Sequence, residues 1–136
     1  MARPSAETIA RVPLFAGLEQ RDLERIADSF KERTYAAGET IAREGHGAAG
    51  FFVIADGTAK VSVQGEERTT LGPGDYFGEV ALLDEGARTA TVTAETDMTT
   101  YAMTFWEFRP IVETDARIAW KLVQALAHRL REVDAR

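Results

Sequence analysis

Residues 51–63 read FFVIADGTAKVSV, two apolar and β-branched runs on either side of Asp56-Gly57. Asp-Gly between such runs is a strong short-range signal for a two-residue hairpin turn. The pair is therefore expected to be two adjacent antiparallel strands. The same texture extends outward from Lys31 to Met103, as short runs of Val, Ile, Thr, Phe and Tyr punctuated by Gly. Turn signals every eight to twelve residues predict a β-sandwich or barrel. Strands are expected at Glu32–Tyr35, Thr40–Arg43, Gly50–Ala55, Thr58–Gln64, Glu67–Leu71, Thr89–Ala94 and Met98–Met103. Gly65, Gly72 and Gly74 mark further turns, and Pro73 fixes the backbone between the last two.

Both flanks read as helical. A short turn opens at Ser5 or Ala6, Pro13 interrupts it, and a longer helix starts near Glu19. There Leu23, Ile26, Ala27 and Phe30 recur at helical spacing while Arg21, Glu24 and Asp28 face water. LFAGL (14–18) is apolar on both sides of Gly17 and is expected to plug onto the β-structure. TFWEFRPIVET (104–114) predicts a capped helix broken or bent near Pro110. Asp115–Val133 predicts a longer one with Ala119, Leu122, Leu126, Leu130 and Val133 in one stripe. The expected fold is mainly β, a jelly roll (residues 31–103) between N-terminal helices (1–30) and two C-terminal helices (104–136), as one domain.

The totals exclude several function classes. With 136 residues, 45% hydrophobic and 28% charged, the chain has the composition of an ordinary globule. A net charge of −6 argues against sequence-independent binding to nucleic acid or anionic membranes. Without Cys there is no disulfide framework, thiolate nucleophile or Cys-ligated metal. No apolar run approaches the ~18 residues of a membrane span, and MARPSAETIARVP carries charge where a signal peptide is apolar. The expected compartment is the cytoplasm.

Chemistry concentrates in Gly72–Ala94, GPGDYFGEVALLDEGARTATVTA. Gly78 ends an extended segment, and EVALLDE suits one or two helical turns before Gly86. A helix start presents unpaired backbone N–H groups, which suit an anion. Arg88 opens the next strand, where its planar fork can meet the same anion with two parallel hydrogen bonds. Glu79 accepts hydrogen bonds only, so its natural partner on that ligand is a sugar hydroxyl.

FGEVALLDEGARTATV (77–92) closely resembles the phosphate-binding cassette of cyclic nucleotide-binding domains, the family of catabolite activator protein and of the regulatory subunits of cyclic-nucleotide-dependent kinases. LFAGLEQRDLERIADSF resembles the family's N-terminal helical motif, and the tail its last two helices, so the likeness covers nearly the whole chain. It implies that Arg88 binds the cyclic phosphate, helped by amides of Val80, Ala81 and Leu82 and near Thr89 and Ala90. Glu79, with the Gly78 backbone, would hold the ribose 2′-hydroxyl. The base would lie near Phe77 against Val61, Leu71 and Val92, under the last helix, where Arg129, Val133 and Asp134 are the available contacts. Ala87 stands where many members have Pro. Thr89 resembles the position whose hydroxyl reaches the guanine 2-amino group, though a hydroxyl there also occurs with adenine ligands. The expected ligand is cAMP or cGMP, cAMP before cGMP, with no cofactor and no metal.

Plainer readings compete with this one. Glu79 and Arg88 alone could be a structural ion pair. A roll that keeps the fold and binds nothing is a second alternative. His46 lies in the EGHGAAG turn and His128 on the last helix, which does not make a metal-binding cupin. Phe105, Trp106, Phe108 and Trp120 are expected to pack on the body, and HRLRE (128–132) to be a solvated helix face. A transcription factor needs a helix-turn-helix after the long helix, whereas the sequence ends at Arg136. The expected function is a stand-alone regulatory sensor, not an enzyme, acting on an unidentified downstream protein, with a homodimer possible. The alternative is the detached sensor part of a cyclic-nucleotide-dependent transcription factor or other regulated protein.

Overall fold

The computed structural model describes residues 3–47, 50–78, 82–83 and 88–134, the side chain of residue 129 excepted. In chain order the strands are β1 (Lys31–Tyr35), β2 (Thr40–Ala42), β3 (Phe51–Asp56), β4 (Ala59–Val63), β5 (Glu66–Leu71), β6 (Tyr76–Phe77), β7 (Thr91–Ala94) and β8 (Met98–Met103). They form two antiparallel sheets, ordered β1-β8-β3-β6 and β2-β7-β4-β5. Facing side chains fill the space between the sheets: Phe52, Ile54, Phe77, Met98 and Ala102 from the first, Ile41, Ala42, Ala59, Val92 and Ala94 from the second. This is the expected β-roll with helices at both ends.

The opposite face of the first sheet carries Phe51, Val53 and Met103, covered by helices. These are α1 (Ala6–Ala10), a 3₁₀ turn (Pro13–Phe15), α2 (Gln20–Asp28), α3 (Phe105–Thr114) and α4 (Ala116–Asp134). A sheet covered on both faces buries consecutive residues, which is why FFVI is an unbroken apolar run. All four are at most 2% exposed. LFAGL does plug in, with Leu14, Phe15 and Leu18 buried in the helical cluster.

Asp56-Gly57 does not make the expected hairpin. β3 pairs with β8 and β6, and β4 with β7 and β5, so the turn hands the chain from one sheet to the other. Gly57 has φ +90° and lies so close to Asp97 that a Cβ would overlap its carbonyl oxygen. The local signal was for a turn, and long-range pairing decided which strands met. The true two-residue hairpin is Gln64-Gly65, with φ 53° and 79°, between Val63 and Glu66, which pair across the ladder. Two consecutive positive φ values fit the twist of paired strands. β6 escaped the sequence reading because two residues show no period, and β7 starts at Thr91 instead of Thr89.

The C-terminal helices bring two corrections. α3 is not broken at Pro110: a Thr104–Glu107 capping box starts it, and it runs on to Thr114. Buried Phe108 and Ile111 fix it on the core, and packing outweighs one poor residue. Trp106 and Trp120 do not pack on the body; they are 62% and 61% exposed. Each is two residues from a buried position (Phe108 or Ile118), which on a helix means the opposite face. Along α4 the buried residues are Ile118 and Leu122, while the stripe's Leu126, Leu130 and Val133 are 37%, 64% and 60% exposed.

One ion pair ties the two helical ends together. Both carboxylate oxygens of buried Asp22 on α2 accept from the two terminal nitrogens of Arg117 on α4, at 2.6 and 2.9 Å. These bonds hold the Asp22 carboxyl below its ordinary value near 3.8. With the folded pKa below the unfolded one, the stabilisation is complete above the unfolded value and is lost as pH falls through the folded one. Asp22→Asn is expected to cost about 2 kcal/mol at pH 7. The cost stays below that of a fully buried pair because Arg117 is 36% exposed. The gap from wild type should begin to narrow below about pH 4 and shrink further as the pH falls. Thermal melts of both proteins from pH 7 to pH 3 check this, and a pH-independent gap would contradict it.

Candidate anion site

Three distant points of the chain meet beside the end of β6. Gly78 has φ +82°, a conformation other residues rarely adopt. A Cβ there would lie 2.5 Å from the Gly50 carbonyl oxygen and 2.7 Å from each terminal nitrogen of Arg88. The guanidinium therefore rests directly on the Gly78 backbone, and its Nη1 donates to Gly50 O at 3.0 Å. Gly50 is buried and has φ 128°; a Cβ on it would approach the Met103 carbonyl oxygen to 2.8 Å. Two glycines thus make room for one half-buried arginine.

The backbone of Arg88 is fixed as well. Gly45 N donates to Arg88 O at 2.8 Å, and Arg88 N donates to His46 O at 2.9 Å. Glu44 anchors that loop on both sides: its N–H donates to Thr91 Oγ1 at 3.0 Å, and its Oε1 accepts from Gln64 N at 2.9 Å. A guanidinium held this way is oriented before an anion arrives, which reduces the ordering cost of binding. Its planar fork suits a bidentate oxyanion such as a phosphate.

Of the residues singled out from the sequence, Gly78 and Arg88 come together here, followed by exposed Thr89 and half-buried Ala90. Phe77, next to Gly78, is buried with its ring stacked 5.0 Å from Phe52. Val92 pairs opposite Val61, and Val61 and Leu71 pack half-buried on the cluster that holds Val92 and Phe77. These apolar residues belong to one cluster, and Val92 follows Arg88 by four residues. Leu82 is 1% exposed but packs in the other cluster, with the helices, so its side chain does not line the roll. Glu79, Val80 and Ala81 lie outside the described residues, as do most of the expected short helix and the Arg129 side chain. Val133 and Asp134 are exposed at the end of α4.

Gly45, His46 and Gly50 were not anticipated as part of this junction. The glycine density of EGHGAAG is the available signal, and it marks a turn and a strand start without pointing to a partner. Among the described residues, no group of three His, Asp or Glu is placed to hold a metal ion.

Comparison with known proteins supplies the context. The profile of the cyclic nucleotide-binding domain matches residues 32–115. The chain is 34% identical over 127 residues to the cyclic AMP receptor protein of Thermus thermophilus, covering 90% of this chain and 59% of the receptor. It is 42% identical over 87 residues to the cAMP-dependent protein kinase regulatory subunit of Mycosarcoma maydis, covering 61% of this chain and 17% of the subunit. Among solved structures, the N-terminal domain of a transcriptional regulator from Streptomyces coelicolor A3(2) superposes with a TM-score of 0.86 at 30% identity, covering 94% of this chain and 92% of that one. The chain thus spans 59% of the first curated relative and 17% of the second, less than two thirds of either.

Proposed function

Since the chain belongs to the family of cyclic nucleotide-binding domains, we propose that residues 1–136 form one sensor domain that binds a 3′,5′-cyclic nucleotide and performs no chemistry of its own. The junction of Gly50, Gly78 and Arg88 is the observation that carries this reading. Arg88 takes the cyclic phosphate, with amides of the 80–82 and 89–90 segments around it. Glu79 and the Gly78 backbone take the ribose 2′-hydroxyl, the only free ribose hydroxyl in such a ligand. The base rests on Val61, Leu71, Val92 and Phe77. The preference for cAMP over cGMP is supported by the names of the bacterial receptor and the kinase subunit.

Titration calorimetry with cAMP, cGMP and 2′-deoxy-cAMP tests the reading. cAMP should bind most tightly, and the deoxy ligand roughly 10- to 100-fold more weakly, because it leaves a carboxylate without its donor. Heat from none of the three would end the proposal, and equal affinity for the deoxy ligand would remove Glu79 from it.

The sensor works by a shift in α4 that ligand favours, which requires tighter binding to one arrangement than to the other. A downstream protein in the cytoplasm reads that shift; a direct nucleic-acid or membrane partner does not fit the net charge of −6. A second copy is also a fitting partner. Ala116, Ala119, Val123, Leu126, Leu130 and Val133 follow the alternating three- and four-residue spacing of a coiled-coil seam. Light scattering should give a dimer mass at micromolar concentration, and a monomer mass would exclude it. The second reading, a sensor within a longer regulator, is favoured by the 59% coverage of the bacterial receptor.

A further inference from the structure

Glu44 closes the rim of the second sheet beside the point where Arg88 enters it. It follows β2, whose last ladder pair joins Ala42 to Val92 of β7. From there its N–H donates to Thr91 Oγ1, at the start of β7, at 3.0 Å. Its side chain reaches one strand further, where Oε1 accepts from Gln64 N at 2.9 Å, at the tip of the β4–β5 hairpin. That N–H lies outside the hairpin's own ladder, which closes at the pair Val63 and Glu66. Gln64 also has φ 53°, the only positive φ of a non-glycine among the described residues, in a region that L-residues populate sparsely. One half-buried carboxylate thus stitches β2, β7 and the β4–β5 tip together.

The next two residues bracket Arg88. Gly45 N donates to Arg88 O and Arg88 N donates to His46 O, so a shift at Glu44 passes directly into the backbone that aims the guanidinium. Electrostatics run against this placement. A carboxylate so close to the bracket repels an incoming anion, and on charge alone the site would bind better without it. What Glu44 contributes is geometry.

Resting on the cyclic-nucleotide reading, we propose that Glu44 is a positioning residue for the phosphate grip. It does not touch the nucleotide. Through the stitch it fixes the Gly45–His46 bracket, and the bracket fixes Arg88.

Titration calorimetry with cAMP should show Glu44→Ala binding about 5- to 10-fold more weakly, the scale of one hydrogen bond to a charged group. Charge alone predicts the opposite sign. Glu44→Gln drops the charge and keeps an acceptor oxygen, so it should recover most of the loss. In an Arg88→Ala background, Glu44→Ala should change affinity by less than about twofold, because residues acting through one contact are not additive. An alanine variant that binds as tightly as wild type, or more tightly, would overturn the proposal. So would a full loss in Glu44→Gln or in the Arg88→Ala background.

Amide hydrogen exchange reads the stitch without ligand. In the wild-type chain the Gln64 N–H should exchange at least about tenfold more slowly than in an unfolded chain. In Glu44→Ala both it and the Arg88 N–H should speed up by a similar factor. Exchange of Gln64 at the unfolded rate would overturn the stitch even if the alanine variant fails to fold. If wild type binds no cAMP, the sensor reading fails, and the exchange rates still decide whether Glu44 holds Arg88.

Discussion

Arg88→Ala is expected to lower the affinity for cAMP by about 100- to 1000-fold while leaving the chain folded. The lost contact is a pair of charge-assisted hydrogen bonds, each worth roughly 1.5–3 kcal/mol, and about 3–4 kcal/mol corresponds to that range of dissociation constants. The fold should survive because the links from Arg88 to Gly45 and His46 are made by the backbone, which alanine retains. A modest stability loss of about 1 kcal/mol should accompany it, since the buried Gly50 carbonyl loses its donor. Arg88→Lys should fall between the two, restoring charge without the fork. Calorimetry beside a thermal melt reads both effects. Wild-type affinity in the alanine variant would remove Arg88 from the phosphate role.

Phe51→Ala should be the most destabilising single change, at about 4 kcal/mol. Phe51 is fully buried, and its ring meets Phe15 at 6.1 Å, Phe30 at 5.6 Å and Tyr76 at 6.0 Å. It therefore joins the 3₁₀ turn, the end of the N-terminal helices and β6 across one sheet face. Domains of this size are stable by only about 5–15 kcal/mol, so the melting temperature should drop by about 15 °C. Trp106→Ala, on the exposed side of α3, is the internal comparison and should change stability by about 0.5 kcal/mol or less. Chemical denaturation of both variants checks the contrast, and equal losses would mean that burial is misassigned.

The parts of this fold that were legible in the sequence are those set by short-range pattern. The runs of β-branched residues gave all but the shortest strand, Ser5 and Thr104 announced helix starts, and LFAGL announced its own burial. Partner choice was not legible, because Asp56-Gly57 asks only for a turn and pairing is settled by what arrives later in the chain. Helical phase was legible and underused: counting from Phe108 or Ile118 puts Trp106 and Trp120 outside. For the site, Gly78 and Arg88 stood out through their spacing. The opposing half of the junction, Gly45 to Gly50, lies more than twenty-five residues earlier, and only the folded backbone brings it into reach. Its contributions are main-chain carbonyls and amides, which no side-chain pattern advertises.

The interleaved strand order has a consequence for how the chain is born. β8 sits between β1 and β3, and β7 between β2 and β4, so each sheet is held together by a strand made after residue 90. On the ribosome, among the described strands, the β4–β5 hairpin and the β3–β6 ladder can zip up early; β1 and β2 must wait, edges open, for partners made later. Vectorial synthesis therefore leaves most of the roll unclosed until its last strands emerge, and long-range closure of this kind is slow compared with helix formation.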